Sequence, residues 1–389
     1  MKESERLKKA LNFEEADRVP FDCGGTTVSG FNKTAFEKAM AHRNLPASYQ
    51  AKSVDPIQQI VIPTPDILGQ LNIDTFRVGA RRIMNFEEKL QEDQDYYQIT
   101  DPYHCDWQMH KQTDLYYNQV NYPLADYESL SVALSDFNLY DIAGSKKILE
   151  ADIELQLKDR GTKGIVLDRN CAGLTEMSLR IRGYDKWFMD TILDPEGVVQ
   201  LLDQLVDHKI AYWEMMAEIM NQRGLINEVL VISEADDLGT QNSLLLSPDM
   251  LRSMVIPKIN HLLTRLKKLF PSAKMFFHTD GAIKPILPDL IEAGVEILNP
   301  VQYTAADMDL VELKKNFGQD LVFWGGGIDT QEILNKGSVQ QVKDEVKRNI
   351  EILAPGGGFV FTTIHNIQAD VPPENFWAMW EALMEFGKY

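Results

Sequence analysis

The residues best equipped for chemistry stand at the end of one apolar run. Residues 273–281 read Ala-Lys-Met-Phe-Phe-His-Thr-Asp-Gly, so hydrophobic positions lead straight into His278 and Asp280. A buried parallel strand has this pattern where polar residues close its carboxyl end. Side chains alternate along a strand, so His278 and Asp280 are expected on one face, as a metal half-site or a proton-handling pair requires. A core histidine followed by a turn aspartate satisfies the same stretch. The ends of the other apolar runs bear on the choice.

Those ends carry Asp22 and Cys23, Asp168 and Arg169, Glu234 with Asp236 and Asp237, Asn299 and Gln302, Asp329, and His365 with Asn366 and Gln368. Two imidazoles among several carboxylates are more than a solvated rim needs. His278, Asp280 and His365, completed by Glu234 or Asp237, would make the nitrogen–oxygen shell that suits zinc or another borderline divalent ion. Metal-free acid–base work by Asp237, His278 and His365 competes with it. Cys23, Asp236, Gln241, Asn299 and Asp329 are the candidate substrate contacts around them. The other five histidines (His42, His104, His110, His208 and His261) fall in helical or irregular stretches and read as structural or exposed.

Positioning such a group requires strands that end together. From residue 144 the chain alternates strand and helix, with Val/Ile/Leu-rich strands and starts such as Asp194-Pro195 for the helices. Eight strands are expected, at 19–23, 74–78, 164–168, 229–233, 273–278, 295–299, 320–324 and 359–365. Eight βα units predict an α/β fold, a (β/α)8 TIM barrel with its chemistry at the carboxyl ends of the strands. No Gly-x-Gly-x-x-Gly follows the first strand, which argues against a dinucleotide fold. Residues 80–142, rich in Tyr, Gln and Asp, are expected to form an insertion of β-hairpin character after the second strand, within a single domain.

The 389 residues are 44% hydrophobic and carry a formal charge of -19, which leaves no basic surplus for nucleic acid or an anionic membrane. Three cysteines at wide spacing, without a Cys-x-x-Cys, point to a reducing cytoplasm rather than a disulfide framework. Neither an apolar signal core nor a run of membrane-spanning length is present.

Several stretches together resemble the uroporphyrinogen decarboxylase superfamily, which also contains zinc-dependent, cobalamin-linked methyltransferases. They are Arg18-Val19-Pro20, Arg182-Gly183-Tyr184 with Asp194-Pro195-Glu196, and Asp236-Asp237-Leu238-Gly239-Thr240-Gln241 with Leu246-Ser247-Pro248. The others are His278-Thr279-Asp280-Gly281, Ala293-Gly294-Val295-Glu296-Ile297-Leu298-Asn299-Pro300, Gly326-Gly327-Ile328-Asp329, and His365 followed by Pro372-Pro373-Glu374-Asn375. True decarboxylases of this kind have an arginine-rich segment after the first strand, where this chain has Phe21-Asp22-Cys23-Gly24-Gly25-Thr26-Thr27. The methyltransferase branch binds zinc through a His-x-Cys pair and a later Cys. Here Asp280 stands in the place of the first Cys and His365 in that of the second.

The resemblance thus implies a zinc site of His278, Asp280 and His365, harder than a thiolate-rich one. Such a site suits a demethylase component, which moves a methyl group from a small O- or N-methylated substrate to a corrinoid. Glu234, Asp237 and Gln241 would complete the shell or orient the substrate. No Asp-x-His-x-x-Gly is present, so the corrinoid would be carried by a separate protein. A metal-independent lyase of decarboxylase type, and a non-catalytic barrel that binds corrinoid or metabolite, are the alternatives.

Overall fold

The computed structural model describes residues 1–49, 54–80 and 91–389. Its core is a curled sheet of seven parallel strands in sequential order: β1 (Thr75–Val78), β2 (Gly164–Leu167), β3 (Val229–Ala235), β4 (Lys274–His278), β5 (Ile297–Asn299), β6 (Val322–Trp324) and β7 (Phe359–Val360). All strand residues but Lys274 are buried, so both faces of the sheet meet a core and differ mainly in what they meet. Val166, Val231, Phe276, Ile297, Val322, Trp324 and Val360 pack together on the concave side. Leu167, Ile232, Phe277, Leu298 and Phe323 belong to the larger outer core, which the helices share. The amphipathic helix Glu3–Leu11 sets Leu7, Ala10 and Leu11 into the inner cluster from the amino ends of the strands, where Ser4 N donates to Thr162 O. That leaves the carboxyl ends for chemistry.

The expected first strand, 19–23, is not one. Phe21 makes a single parallel bridge with Phe361, flanked by Asp22 N to Phe361 O at 2.9 Å and Phe361 N to Pro20 O at 2.9 Å. On the other side Asp74 N donates to Phe21 O at 2.8 Å. The segment therefore touches both edges of the sheet without extending a ladder. Pro20 has no N–H, the Phe21 amide goes to the Asp74 carboxylate, and Asp22 Oδ1 takes Gly25 N at 2.7 Å, which turns the chain away.

Of the expected insertion, 81–90 lies outside the described residues. Gln91–Glu92, Tyr96–Thr100, Asp106–His110 and Asn118–Asn121 form a separate four-stranded antiparallel sheet. It packs on the helix α1 (Leu174–Arg182): Gln119 Nε2 and Cys105 Sγ both reach Arg180 O, and the Arg180 guanidinium lies 5.2 Å from the Trp107 ring centre. Helix α2 (Tyr184–Leu193) and the long α3 (Pro195–Gln222) follow, the latter capped by Asp194 on Gly197 N. Among the described residues, no helix is long and apolar enough to cross a membrane.

Candidate functional site

His278 is the last residue of β4, on the concave face, opposite Ala235 of β3 and Asn299 of β5. Its Nδ1 is 2.7 Å from Asn299 Oδ1, while Asn299 Nδ2 donates to the Trp324 carbonyl at 2.7 Å. A carbonyl only accepts, so the amide group must face Trp324 and the Asn299 oxygen must face the imidazole. Nδ1 therefore carries the proton, and Nε2 presents its lone pair to the mouth. This is the arrangement by which a neighbouring acceptor fixes a metal-binding histidine.

Asp280 is not reached by strand alternation, because β4 stops at His278. It sits in the following turn, held by Gly281. Gly281 has φ +94° and approaches Gly239 and Thr240 so closely that a Cβ would lie 2.6 Å from backbone atoms, and its N–H donates to Gln302 Oε1 at 2.6 Å. The turn brings Asp280 Oδ2 to 3.7 Å from His278 Nε2, and Asp237 Oδ1, which accepts Asp280 N, to 3.9 Å. His365, after β7, completes the group with its ring centre 5.5 Å from that of His278. One donor atom each from His278, Asp280 and His365 lies within 4.8 Å of the others.

Burial lowers both imidazoles, His278 and His365, to about 4, so each is a neutral nitrogen donor at neutral pH. Burial raises Asp237 well above the usual carboxylate range, and the charges of Glu176 and Asp280 push it further; burial also raises Asp280. Asp280 Oδ1 is buried and has no hydrogen-bond partner. A carboxylate that sets Oδ2 near a preset imidazole lone pair, leaves its buried Oδ1 unpartnered and has a second neutral imidazole beside it fits a divalent ion of the zinc type. His278, Asp280 and His365 would hold it, with Asp237 within reach.

Other expected residues serve elsewhere. Glu234 is not a ligand of this group: it points to the outer face, where Lys209 Nζ and Trp213 Nε1 donate to its two oxygens at 2.8 and 2.6 Å. A register shift between Ile165–Val166 of β2 and Val229–Val231 of β3 precedes it, so Ser233 and Ala235, not Glu234, line the concave side. Cys23 is buried in the outer core rather than offered to a substrate. Asp236 is fully buried and caps α1, accepting Thr175 N and Glu176 N at 2.9 and 3.1 Å, and burial raises it to about 7. Asn299 orients His278 instead of touching the mouth. Asp329 spends both oxygens on Gln331 N and Glu332 N. Gln241 is exposed on the rim and accepts from Gln302.

Two contributors lie outside the expected ligands and substrate contacts, one of them, Gln302, already among the strand-end polar residues. Glu176, at the start of α1, charges the surroundings of Asp237 and His365; burial pushes it up, but Arg180 and the Gly173 amide outweigh this and hold it low. Its spacing of four from Arg180 and its place one turn into a helix were visible signals. Gln302 pins the Gly281 turn, which only a contact between loops reveals.

No curated protein matches the chain. Across 99% of its own length and 99% of the other's, the fold is similar to that of a methyltransferase from Methanosarcina mazei, with a TM-score of 0.66 and 17% sequence identity. The family model for uroporphyrinogen decarboxylase (URO-D) matches residues 172–386, from the loop after β2 into the last helix. With more than half of its length matched, this protein belongs to the uroporphyrinogen decarboxylase family.

Proposed function

We propose that this chain is a methyltransferase that holds zinc with His278, Asp280 and His365 and moves a methyl group from a small O- or N-methylated substrate to a corrinoid on a separate protein. The observation that carries the proposal is the convergence of one donor atom from each of those three residues within 4.8 Å, with the Asp280 carboxylate otherwise leaving its buried Oδ1 without a hydrogen bond. Zinc bound there would supply Lewis acidity to the substrate oxygen or nitrogen, making it a better leaving group. The chain's own residues do the rest. Asn299 keeps Nε2 of His278 unprotonated, and the Gly281–Gln302 contact holds Asp280 at its distance. Asp237, whose carboxyl burial and its acidic neighbours raise, is placed to give a proton to the oxygen or nitrogen that departs with the bond's electron pair. A corrinoid on the partner would serve as the second substrate and accept the methyl group as the leaving oxygen or nitrogen takes the bond's electron pair.

The donor set contains no thiolate, which favours an oxygen or nitrogen substrate over a thiol. We also take the seven-stranded sheet, with 19–23 bridging its edges, as a (β/α)8 barrel with an insertion at about 80–142, and the free cysteines as those of a cytoplasmic protein. The raised Asp237 equally suits a metal-independent decarboxylase-type lyase, and one experiment separates the two. Purified protein should hold one zinc per chain and form methylcobalamin from cob(I)alamin with members of a panel of methoxy and N-methyl compounds, and His278→Ala should abolish both. Absence of stoichiometric zinc, or methyl transfer undiminished in His278→Ala, overturns the proposal.

A further inference from the structure

A second cluster of charge lies beside the site, at the ends of β1, β2 and β3. Phe76 and Val78 pack in the outer core, which puts Arg77 of β1 on the concave side. Its side chain is 2% exposed, its Nε donates to Asp168 Oδ2 at 2.7 Å and its Nη2 to Ala80 O at 3.2 Å. Its Nη1 is buried with no partner. Asp168 also accepts Thr27 N on Oδ2, and its Oδ1 has no hydrogen bond. Arg169 approaches that oxygen only to 3.7 Å and donates from Nη1 to Ser233 Oγ at 3.2 Å; among the described residues, its Nε and Nη2 have no hydrogen-bond partner.

Two guanidinium groups thus meet the Asp168 carboxylate directly in a largely buried place, while the charges of Glu176 and Asp55 act on Arg169 without touching it. A buried donor left without an acceptor, as Arg77 Nη1 is, is costly, and the free guanidinium donors are shaped for a planar oxyanion. Position completes the case. Ser233, which Arg169 touches, is two residues before Ala235, and Ala235 is the register partner of His278 on the adjacent strand. Strand geometry therefore separates Arg169's contact from the His278 end by roughly 5–10 Å, the length of one small molecule.

We propose that Arg169, backed by Arg77, is an anion subsite that takes the carboxylate of a methylated acid, whose methyl-bearing oxygen or nitrogen then faces His278. The substrate class is thereby a small methylated carboxylic acid. This rests on the methyltransferase reading for the reacting end only; the anion subsite stands on its own residues.

Calorimetric titration of the purified protein with 4-methoxybenzoate, 3-methoxybenzoate and methoxyacetate, each against its uncharged amide, tests it. At least one acid should bind about tenfold or more tightly than its amide, the scale of a charge-assisted pair. Arg169→Gln should erase the preference and Arg169→Lys keep part of it; the Lys variant serves alone where Gln does not fold. Acids and amides that bind alike, no binding by any acid, or a preference that survives Arg169→Gln overturns the subsite. His278→Ala should keep the preference. An acid preference in a protein without zinc or methyl transfer leaves the subsite standing and removes the proposed activity.

Discussion

Replacing Asn299 tests whether the site is preset by its neighbour strand. Asn299→Leu has similar volume but neither accepts from His278 Nδ1 nor donates to the Trp324 carbonyl, and both partners are buried. Each orphaned buried group costs about 1–3 kcal/mol, so the two together predict a loss of about 2–6 kcal/mol in urea unfolding. The larger diagnostic is metal affinity. Without an acceptor at Nδ1 the proton is free to move to Nε2 and the ring to turn, and losing such a supporting contact typically weakens metal binding about 10–100-fold. Competition with a chelator of known zinc affinity reads this directly. Asn299→Asp keeps an acceptor for Nδ1 and should retain most of the affinity. Zinc bound equally well by Asn299→Leu and the wild type would refute the role given to Asn299, and equal losses in the Leu and Asp variants would show the tautomer to be irrelevant.

Glu234→Gln should leave zinc stoichiometry unchanged while destabilising the fold by about 3–5 kcal/mol, because it strands Lys209 as a buried charge; loss of metal instead would return Glu234 to the site. Gly281→Ala should lower the melting temperature and weaken zinc together, since the left-handed backbone adds about 1–2 kcal/mol of strain before any clash with Gly239 and Thr240. His208 in α3, packed against Tyr103 and Tyr140, is lowered by burial to about 4 from an unfolded value near 6.5. A depressed folded value stabilises the protein above pH 6.5, and this contribution fades as pH falls towards 4, by about 3 kcal/mol in all. His208→Gln should remove that part of the acid slope in urea titrations at pH 7 and pH 4.5. Parallel slopes in the two proteins would contradict it.

How much of this was legible from the residues alone varies with how local the cause is. Strand ends are local events, where an apolar run stops and polar residues begin. For that reason His278, Asp280, Asp237 and His365 could all be named, and the structure gathers them. Conversely, the segment 19–23 has strand composition, but its pairing depends on Asp74, some fifty residues away, which takes the Phe21 amide.

The sequence by itself determined the repeating strand–helix order and the placement of His278 at a strand end, with Asp237, Asp280 and His365 in the loops that follow strands, because period and chain punctuation are written in neighbouring residues; the last strand stops at Val360, five residues before His365. Only the tertiary structure decided which of those side chains meet. A strand such as Val229–Ala235 is buried on both faces and bears one polar residue on each, Ser233 and Glu234, so nothing in it tells inward from outward. The register against β2 and the waiting Lys209 and Trp213 turned Glu234 out, and Asn299 on the next strand set the imidazole. The pairing of Arg77 with Asp168 joins residues ninety-one apart in the chain, and only adjacency of strands creates it.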